Sequence, residues 1–289
     1  MRSKFENAKV GLAAGITLLF WASAFVGIRA ALDSYSPGHL AVFRYLIASF
    51  VLFVISLFLQ IKLPQKKHIP VIMLNGLLGI AIYHSALNFG ELYVSAGVAS
   101  FIINAVPIFT AVLAYIFLNE RFRKYAWVGI IISFFGVTLI VFGNGTDFNL
   151  SSGGLLILLA ALCQSAYFVL QKPYLKIYSP FEFTTYVIWA GTLLMLVFLP
   201  GLDLAIESAS IEDTLAVIYL GIFPGALGYI FFTYVLSKIS ASRTGSFVFI
   251  VPVLTIIIAW IWLGEIPGII SLVGGSLAIV GVYLLQKNR

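Results

Sequence analysis

Uncharged stretches of apolar residues recur along the whole chain and are separated by short polar breaks. Each stretch has about 18–25 residues, the length that a helix needs to cross the hydrocarbon core of a bilayer. The pattern predicts helices at residues 10–29, 40–60, 69–90, 94–118, 125–142, 154–173, 183–199, 214–236, 244–263 and 269–286. The longest break, residues 200–213, is acidic, and we expect a short surface helix there. The predicted fold class is therefore an all-α membrane protein with ten transmembrane helices.

The basic residues fall on one side of this predicted arrangement. Of the 17 Lys and Arg residues, 15 lie at the two ends of the chain or in breaks that follow an even number of helices. Cytoplasmic loops of membrane proteins carry an excess of Lys and Arg. We therefore expect a multi-pass protein of the plasma (inner) membrane, with both the N-terminus and the C-terminus in the cytoplasm. A missed or extra helix would move part of the basic residues to the other side of the membrane. The charges therefore also favour an even number of helices near ten.

Composition excludes several other classes of protein. The chain is 61% hydrophobic and only 10% charged, too little charge to cover the surface of a soluble domain of 289 residues. The net charge of +6 is not gathered into a basic cluster, so we expect no nucleic-acid partner. The single cysteine, Cys163, excludes an internal disulfide and a Cys-based zinc site. Without a Walker A loop or a metal or nucleophile motif, we expect neither a cofactor nor enzymatic activity.

The chain contains an internal repeat. Residues 94–120 align without a gap on residues 239–265, an offset of 145 that places Pro107 on Pro252 and Glu120 on Glu265. The alignment divides the chain into residues 1–146 and 147–289, with five predicted helices in each half. Because five is odd, the second half must cross the membrane upside down relative to the first. Inverted repeats of this kind recur in transporters, whose substrate sites lie near the midplane between the repeats.

The repeated segment resembles the drug/metabolite transporter superfamily, specifically its ten-helix EamA type. Its most specific parts are Ser95-Ala96-Gly97, Pro107 and Asn119-Glu120 with their copies in the second half, and the stretch from Phe20 to Phe25. The resemblance implies a central cavity lined by predicted helices 1, 3, 4, 6, 8 and 9. It also implies transport of a small metabolite, frequently by export, and a structural or gating role for Glu120 and Glu265.

Polar and aromatic side chains inside the predicted spans are candidates for substrate binding, because polar groups in hydrocarbon are costly unless they are paired or face water. Gln164 and Tyr167 share one face of the sixth helix, and Asn104 lies within a turn of Pro107, which we expect to kink the fourth helix, as Pro252 and Pro224 do theirs. The candidate substrate-binding residues are Trp21, Ser23, Tyr83, His84, Asn88, Asn104, Gln164, Tyr167 and Tyr229.

Other charged and small residues favour structural roles. We expect Glu91 to end the third helix in headgroup water, and Arg29 and Arg44 to snorkel to the interface or pair with Asp33. Lys172 is expected to cap the sixth helix. Small-xxx-small pairs predict close helix contacts at Gly11 with Gly15 and at Gly221 with Gly225.

The leading hypothesis is a secondary-active transporter that exports an amino acid or a related small metabolite by alternating access, with coupling to protons as one option. Its partners are then a small-molecule substrate and the lipid bilayer. Two alternatives stay open: transport of a cationic amine, quaternary ammonium or drug-like compound held by aromatic rings, and a membrane-embedded enzyme or lipid-handling protein. The sequence does not distinguish a monomer from a homodimer.

Overall fold

The computed structural model describes residues 2–93, 96–120, 124–143, 152–263 and 268–287. Within these ranges the chain forms helices joined by short connections. We number them α1 (Arg2–Ala31), α2 (Pro37–Leu59), α3 (Lys66–Gly90), α4 (Ala96–Ile103 and Val106–Leu118), α5 (Lys124–Gly143), α6 (Ser152–Gln171), α7 (Pro180–Met195), α8 (Leu202–Ser208), α9 (Ile211–Lys238), α10 (241–263) and α11 (Ile269–Lys287).

In the described part of the chain, seven helical segments are long and apolar enough to cross a membrane; they belong to α1, α2, α3, α4, α6, α7 and α9. The apolar stretches of α5, α10 and α11 are shorter there, at Tyr125–Leu139, Ala241–Thr255 and Leu272–Leu284. The short helix α8 confirms the surface helix expected in the acidic break. Val94, Ser95 and Glu265 lie outside the described residues, as does the predicted boundary between the halves.

Two Ser-Pro pairs set the starts of α2 and α7. The Ser36 hydroxyl accepts a hydrogen bond from the His39 backbone N–H at 3.2 Å, and the following proline occupies the first helical position, where no N–H is needed. At α7 the Ser179 hydroxyl accepts from the Glu182 N–H at 3.2 Å, and the Glu182 carboxylate accepts from the Ser179 N–H at 2.9 Å. These reciprocal bonds form a capping box that fixes where α7 enters the bundle.

The outer surface of the bundle is far more apolar than that of a soluble protein. Large apolar side chains point outward, among them Phe58, Leu12 and Phe50, which are 82%, 67% and 65% exposed. The interior, although mostly apolar, also holds polar groups, including Arg44 and Gln164. A lipid environment explains both features, because apolar side chains lose nothing there and polar groups must find partners inside the bundle.

Glycines bring α5 and α11 into direct backbone contact. A Cβ atom on Gly136 would lie 2.5 Å from the carbonyl oxygen of Gly274, and one on Gly281 would lie 2.5 Å from that of Gly129. Gly221 packs in the same way on the Arg44 carbonyl of α2, at 2.6 Å, and this confirms one of the predicted small-residue contacts.

The prediction for the other small-residue pair is wrong. A Cβ atom placed on Gly11 or Gly15 of α1 would have no atom of another helix within 4 Å. The spacing of these glycines permits close approach of a neighbouring helix, but no described helix approaches them.

Several helices are interrupted in the middle of the bundle. A π-helical turn at Leu77–Ile82 lies within α3, and another at Gly221–Gly228 within α9 contains Pro224. Between its two parts α4 makes a tight turn at Asn104–Ala105, just before Pro107. In α10 a 3₁₀ turn at Phe247–Ile250 immediately precedes Val251–Leu263, whose second residue is Pro252. Irregular backbone of this kind is tolerated at membrane depth where it is buried in protein or lines a cavity.

Candidate functional site

The interruptions of the helices surround a central cavity. Ile103 and Val106 of α4, Pro224 of α9, and Val248 and Val251 of α10 all line it. The remaining lining residues are Trp21, Ala24, Phe25, Ile28, Arg44, Tyr83, His84, Leu87, Gln164, Phe168 and Tyr229. The cavity volume is about 40 Å³. That is room for about three waters, because one buried water needs roughly 10–15 Å³.

Aromatic rings form one wall of the cavity. The Trp21 ring lies edge-on to Tyr229 at 5.6 Å between ring centroids and packs on Phe232 at 4.9 Å. Phe168 lies parallel to Trp21 at 6.3 Å. Contacts of this geometry stabilise aromatic pairs beyond the area they bury. The wall is therefore apolar and well packed, and suited to the apolar part of a small molecule.

A chain of polar contacts also borders the cavity and shares Tyr229 with this wall. The Tyr229 hydroxyl lies 2.9 Å from His84 Nε2, accepts from Gln164 Nε2 at 3.4 Å and donates to the Gly79 carbonyl at 3.3 Å. His84 Nε2 also contacts the Tyr45 hydroxyl. The chain joins α2, α3, α6 and α9, including the π-helical turn of α3 that carries Gly79.

Arg44 continues this chain and is buried, with 2% of its surface exposed. Its Nη1 lies 3.5 Å from His84 Nδ1, and its guanidinium lies 5.4 Å from the centroid of the Tyr45 ring. Because a guanidinium can only donate, His84 Nδ1 must accept, and the proton of the neutral ring lies on Nε2. The prediction that Arg44 snorkels or pairs with Asp33 is wrong: in the described residues its side chain faces the cavity, and it makes no ion pair with Asp33.

Glu91 lies directly after α3 and is 1% exposed, which overturns the expectation that it ends the helix in headgroup water. Neither carboxylate oxygen has a hydrogen-bond partner in the described part of the chain. Burial raises the pKa of Glu91 to about 8, against the opposing effect of Arg29 and Arg44. Arg29 itself is exposed and reaches the Glu91 backbone carbonyl at 3.5 Å. The carboxyl is therefore poised to change charge in the physiological pH range.

Of the predicted binding residues, five line the cavity: Trp21, Tyr83, His84, Gln164 and Tyr229. The other four are not among its lining residues. Ser23 bonds to the Tyr219 hydroxyl at 2.6 Å, Asn88 donates to the Pro37 carbonyl at 3.2 Å, and Asn104 donates to the Ser100 carbonyl at 2.6 Å. The Tyr167 ring packs on Gly79 and lies 6.0 Å from the Tyr229 ring.

Arg44 is the charged lining residue that the sequence prediction missed. The available signal was a full charge inside an otherwise apolar stretch, which is costly in lipid unless the residue faces the bundle interior.

The connection between α9 and α10 is held from two sides. The Glu120 carboxylate, at the end of α4, accepts from the backbone N–H groups of Ala241 at 2.8 Å and Ser242 at 3.2 Å. Lys172, just after α6, donates to the Leu236 carbonyl and, at 2.5 Å, to that of Ile239. The expectation that Lys172 caps α6 is therefore wrong, because its ammonium caps the end of α9. Both contacts tie the end of one helix to the junction of two others.

The model of the EamA-like transporter family matches residues 9–142 and again residues 151–286. The chain belongs to the EamA-like transporter family. Members of this family are multi-pass membrane transporters and not enzymes, in agreement with the apolar outer surface and the central cavity.

Two relatives match over almost their full length. The chain is 46% identical over 292 residues to the uncharacterized transporter YdfC of Bacillus subtilis, covering 100% of this chain and 94% of that protein. It is 33% identical to a probable terminal-alkyne amino-acid exporter of Streptantibioticus cattleyicolor, covering 94% and 92% of the two chains.

The fold is similar to that of a protein of known crystal structure. It superposes with a TM-score of 0.78 over 96% of each chain, at 16% sequence identity. At this identity the likeness concerns the fold alone. It agrees with the helical bundle described here for an EamA-like transporter.

Proposed function

We propose that this protein is a secondary-active transporter that exports amino acids or related small metabolites. The observation that carries the proposal is the central cavity, which combines an aromatic wall with a polar chain where four helices are interrupted. Small-molecule sites have this composition, mostly apolar with a few convergent polar groups. Broken helices near the middle of the bundle are where transporters bind their substrates. The Streptantibioticus relative, named as a probable amino-acid exporter, supports this substrate class.

The mechanism we propose is alternating access between two inverted five-helix repeats, residues 1–146 and 147–289. Two matches to the same family model support the repeat. So do contacts between positions that the repeat makes equivalent, such as His84 with Tyr229 at 2.9 Å across the same offset of 145. A pocket for a small organic ligand needs about 300–1,000 Å³. The cavity described here is far smaller, so the halves must move apart on one side at a time to admit and release a substrate.

In this proposal the protein lies in the inner membrane with both termini cytoplasmic, as the distribution of Lys and Arg favours. Protons are the coupling ion, and Glu91 is the group that exchanges them. Its burial and its unpartnered oxygens support this role. Transport of a cationic amine is less well supported, since no Asp or Glu is among the residues described as lining the cavity.

Counterflow in liposomes tests the proposal. Purified protein is reconstituted into vesicles loaded with unlabelled amino acids, and uptake of labelled leucine and phenylalanine is measured. We expect saturable accumulation, which the Gln164→Leu variant abolishes while reconstituting normally. Gln65→Leu, at a glutamine outside the bundle interior, is the matched control and should transport like the wild type.

Three results would count against the proposal. Absence of flux for every amino acid would contradict export of this class. Inhibition by choline and other quaternary amines alone would favour the cationic alternative. Formation of a product in detergent, where no gradient exists, would favour an enzyme.

A further inference from the structure

Arg44 is a cation without a counter-charge at the cavity. It is 2% exposed, it lines the cavity, and its Nε has no hydrogen-bond partner in the described part of the chain. Its described side-chain partner is a neutral acceptor, His84 Nδ1, at 3.5 Å. A buried charge is costly unless it is paired or hydrated. An anion bound in the cavity would therefore offset the cost of burying this charge.

The nearest candidate for an internal counter-ion does not pair with it. Glu91 acts electrostatically on the same region, but its two carboxylate oxygens accept no hydrogen bond from any described residue. The cavity lining carries no acidic residue among the described ones. Some of the guanidinium N–H donors therefore stay available toward the cavity. Their planar, paired arrangement matches the two oxygens of a carboxylate.

The rest of the lining defines what else the ligand contains. Gln164 donates its amide N–H to Tyr229 at 3.4 Å, and its Oε1 is a buried acceptor that no described group satisfies. An ammonium group would satisfy that acceptor. Trp21, Phe25 and Phe168 provide an apolar part of the cavity lining. The three features together correspond to a carboxylate, an amino group and an apolar side chain.

We propose that Arg44 binds the carboxylate of the transported molecule, and that the substrates are amino acids or other organic acids with an apolar side chain. The inference rests on the proposed transport function and adds the residue that recognises the anionic group. It assigns the carboxylate to Arg44, the amino group to Gln164, and the apolar part to the aromatic wall around Trp21.

The test compares four probes on the wild-type protein, each as a competitor of phenylalanine counterflow. L-Phenylalanine carries both charged groups, 3-phenylpropionate only the carboxylate, phenethylamine only the ammonium, and L-phenylalaninamide has a neutral amide in place of the carboxylate. Loss of a hydrogen-bonded charge weakens binding by about 10- to 100-fold. We expect phenylalaninamide and phenethylamine to compete that much less well than phenylalanine, and phenylpropionate to compete better than phenethylamine.

Variants of Arg44 provide the second arm. Arg44→Gln should bring the ratio of inhibition by phenylalanine to inhibition by phenylalaninamide close to one. Arg44→Lys should keep part of the preference for phenylalanine, because the positive charge stays while the planar pair of N–H donors is lost. This ratio is independent of how much variant protein folds. Lys67→Gln removes a positive charge from an exposed position away from the cavity and should leave the ratio unchanged.

Equal inhibition of the wild type by phenylalanine and by phenylalaninamide would overturn the inference while leaving the transport function intact. The same holds if Arg44→Gln keeps the wild-type ratio. Vesicles that transport none of the amino acids would instead overturn the proposed function itself, and the inference with it.

Discussion

His84 and Tyr229 are joined by a hydrogen bond of 2.9 Å although 145 residues separate them. The same offset relates Pro107 to Pro252 and Glu120 to Glu265 in the sequence repeat. It also relates the π-helical turns of α3 and α9, and it separates Ser133 from the Ala278 carbonyl that its hydroxyl contacts at 3.1 Å. Residues separated by this offset thus meet in contacts, and one of these pairs, His84 with Tyr229, lines the cavity.

The His84–Tyr229 contact should show energetic coupling. In a double-mutant cycle of His84→Leu and Tyr229→Phe, we expect the double variant to lose less stability than the sum of the two single losses, by about 0.6–1.7 kcal/mol. Unfolding in mixed micelles measures the four stabilities. A parallel cycle of Tyr229→Phe with Ser133→Ala, which lies between α5 and α11, should be additive. Additivity in the His84 cycle as well would mean that the hydrogen bond contributes nothing measurable.

The crossing of α5 and α11 should be intolerant of a single methyl group. A Cβ on Gly281 would lie 2.5 Å from the Gly129 carbonyl and would also overlap the Ser133 hydroxyl, so the helices must separate. Overpacking of this kind costs about 1–3 kcal/mol. We expect Gly281→Ala and Gly136→Ala to lower the melting temperature in detergent.

Gly15→Ala is the matched control for these variants, because a Cβ atom at this position would have nothing within 4 Å. Alanine is the better helix former by about 1 kcal/mol, so this variant should melt at or above the wild-type temperature. Equal effects of all three substitutions would show that the α5–α11 contact is not close in the folded protein.

Much of the fold could be predicted because lipid imposes a simple pattern on the sequence. Apolar stretches marked the helices, and prolines marked where α4, α9 and α10 are interrupted. The position of a polar side chain inside an apolar stretch also selected Gln164 and His84, since such a residue must turn toward the bundle interior in lipid. These features depend on local sequence and on the bilayer, and both are known before the structure.

Features that depend on which helices are neighbours could not be predicted. Arg44 lies near the start of its apolar stretch, a position from which an arginine ordinarily reaches the interface. The structure begins α2 earlier, at Pro37, and packs α3 and α9 over it, so the side chain is enclosed. Lys172 likewise caps the end of α9 because tertiary packing brings that end within reach.

The buried Glu91 carboxyl should make stability depend on pH. Its pKa rises from an ordinary 4.5 to about 8, so the folded protein holds this proton more tightly than the unfolded chain does. Stability from this group is fully present below about pH 4.5 and is lost as the pH rises toward 8. Arg29, Arg44 and Tyr83 are the charged or titratable groups that interact with it.

Glu91→Gln keeps the shape of the side chain but cannot ionise, so its melting temperature should fall less than that of the wild type between pH 5 and pH 8. Glu207→Gln, at an exposed acid of α8, should retain the wild-type slope.

The same Glu91 variant tests coupling: if Glu91 carries the proton, an imposed pH gradient should no longer drive accumulation in Glu91→Gln vesicles, while exchange without a gradient continues. Accumulation that still follows the gradient would assign proton coupling to another group.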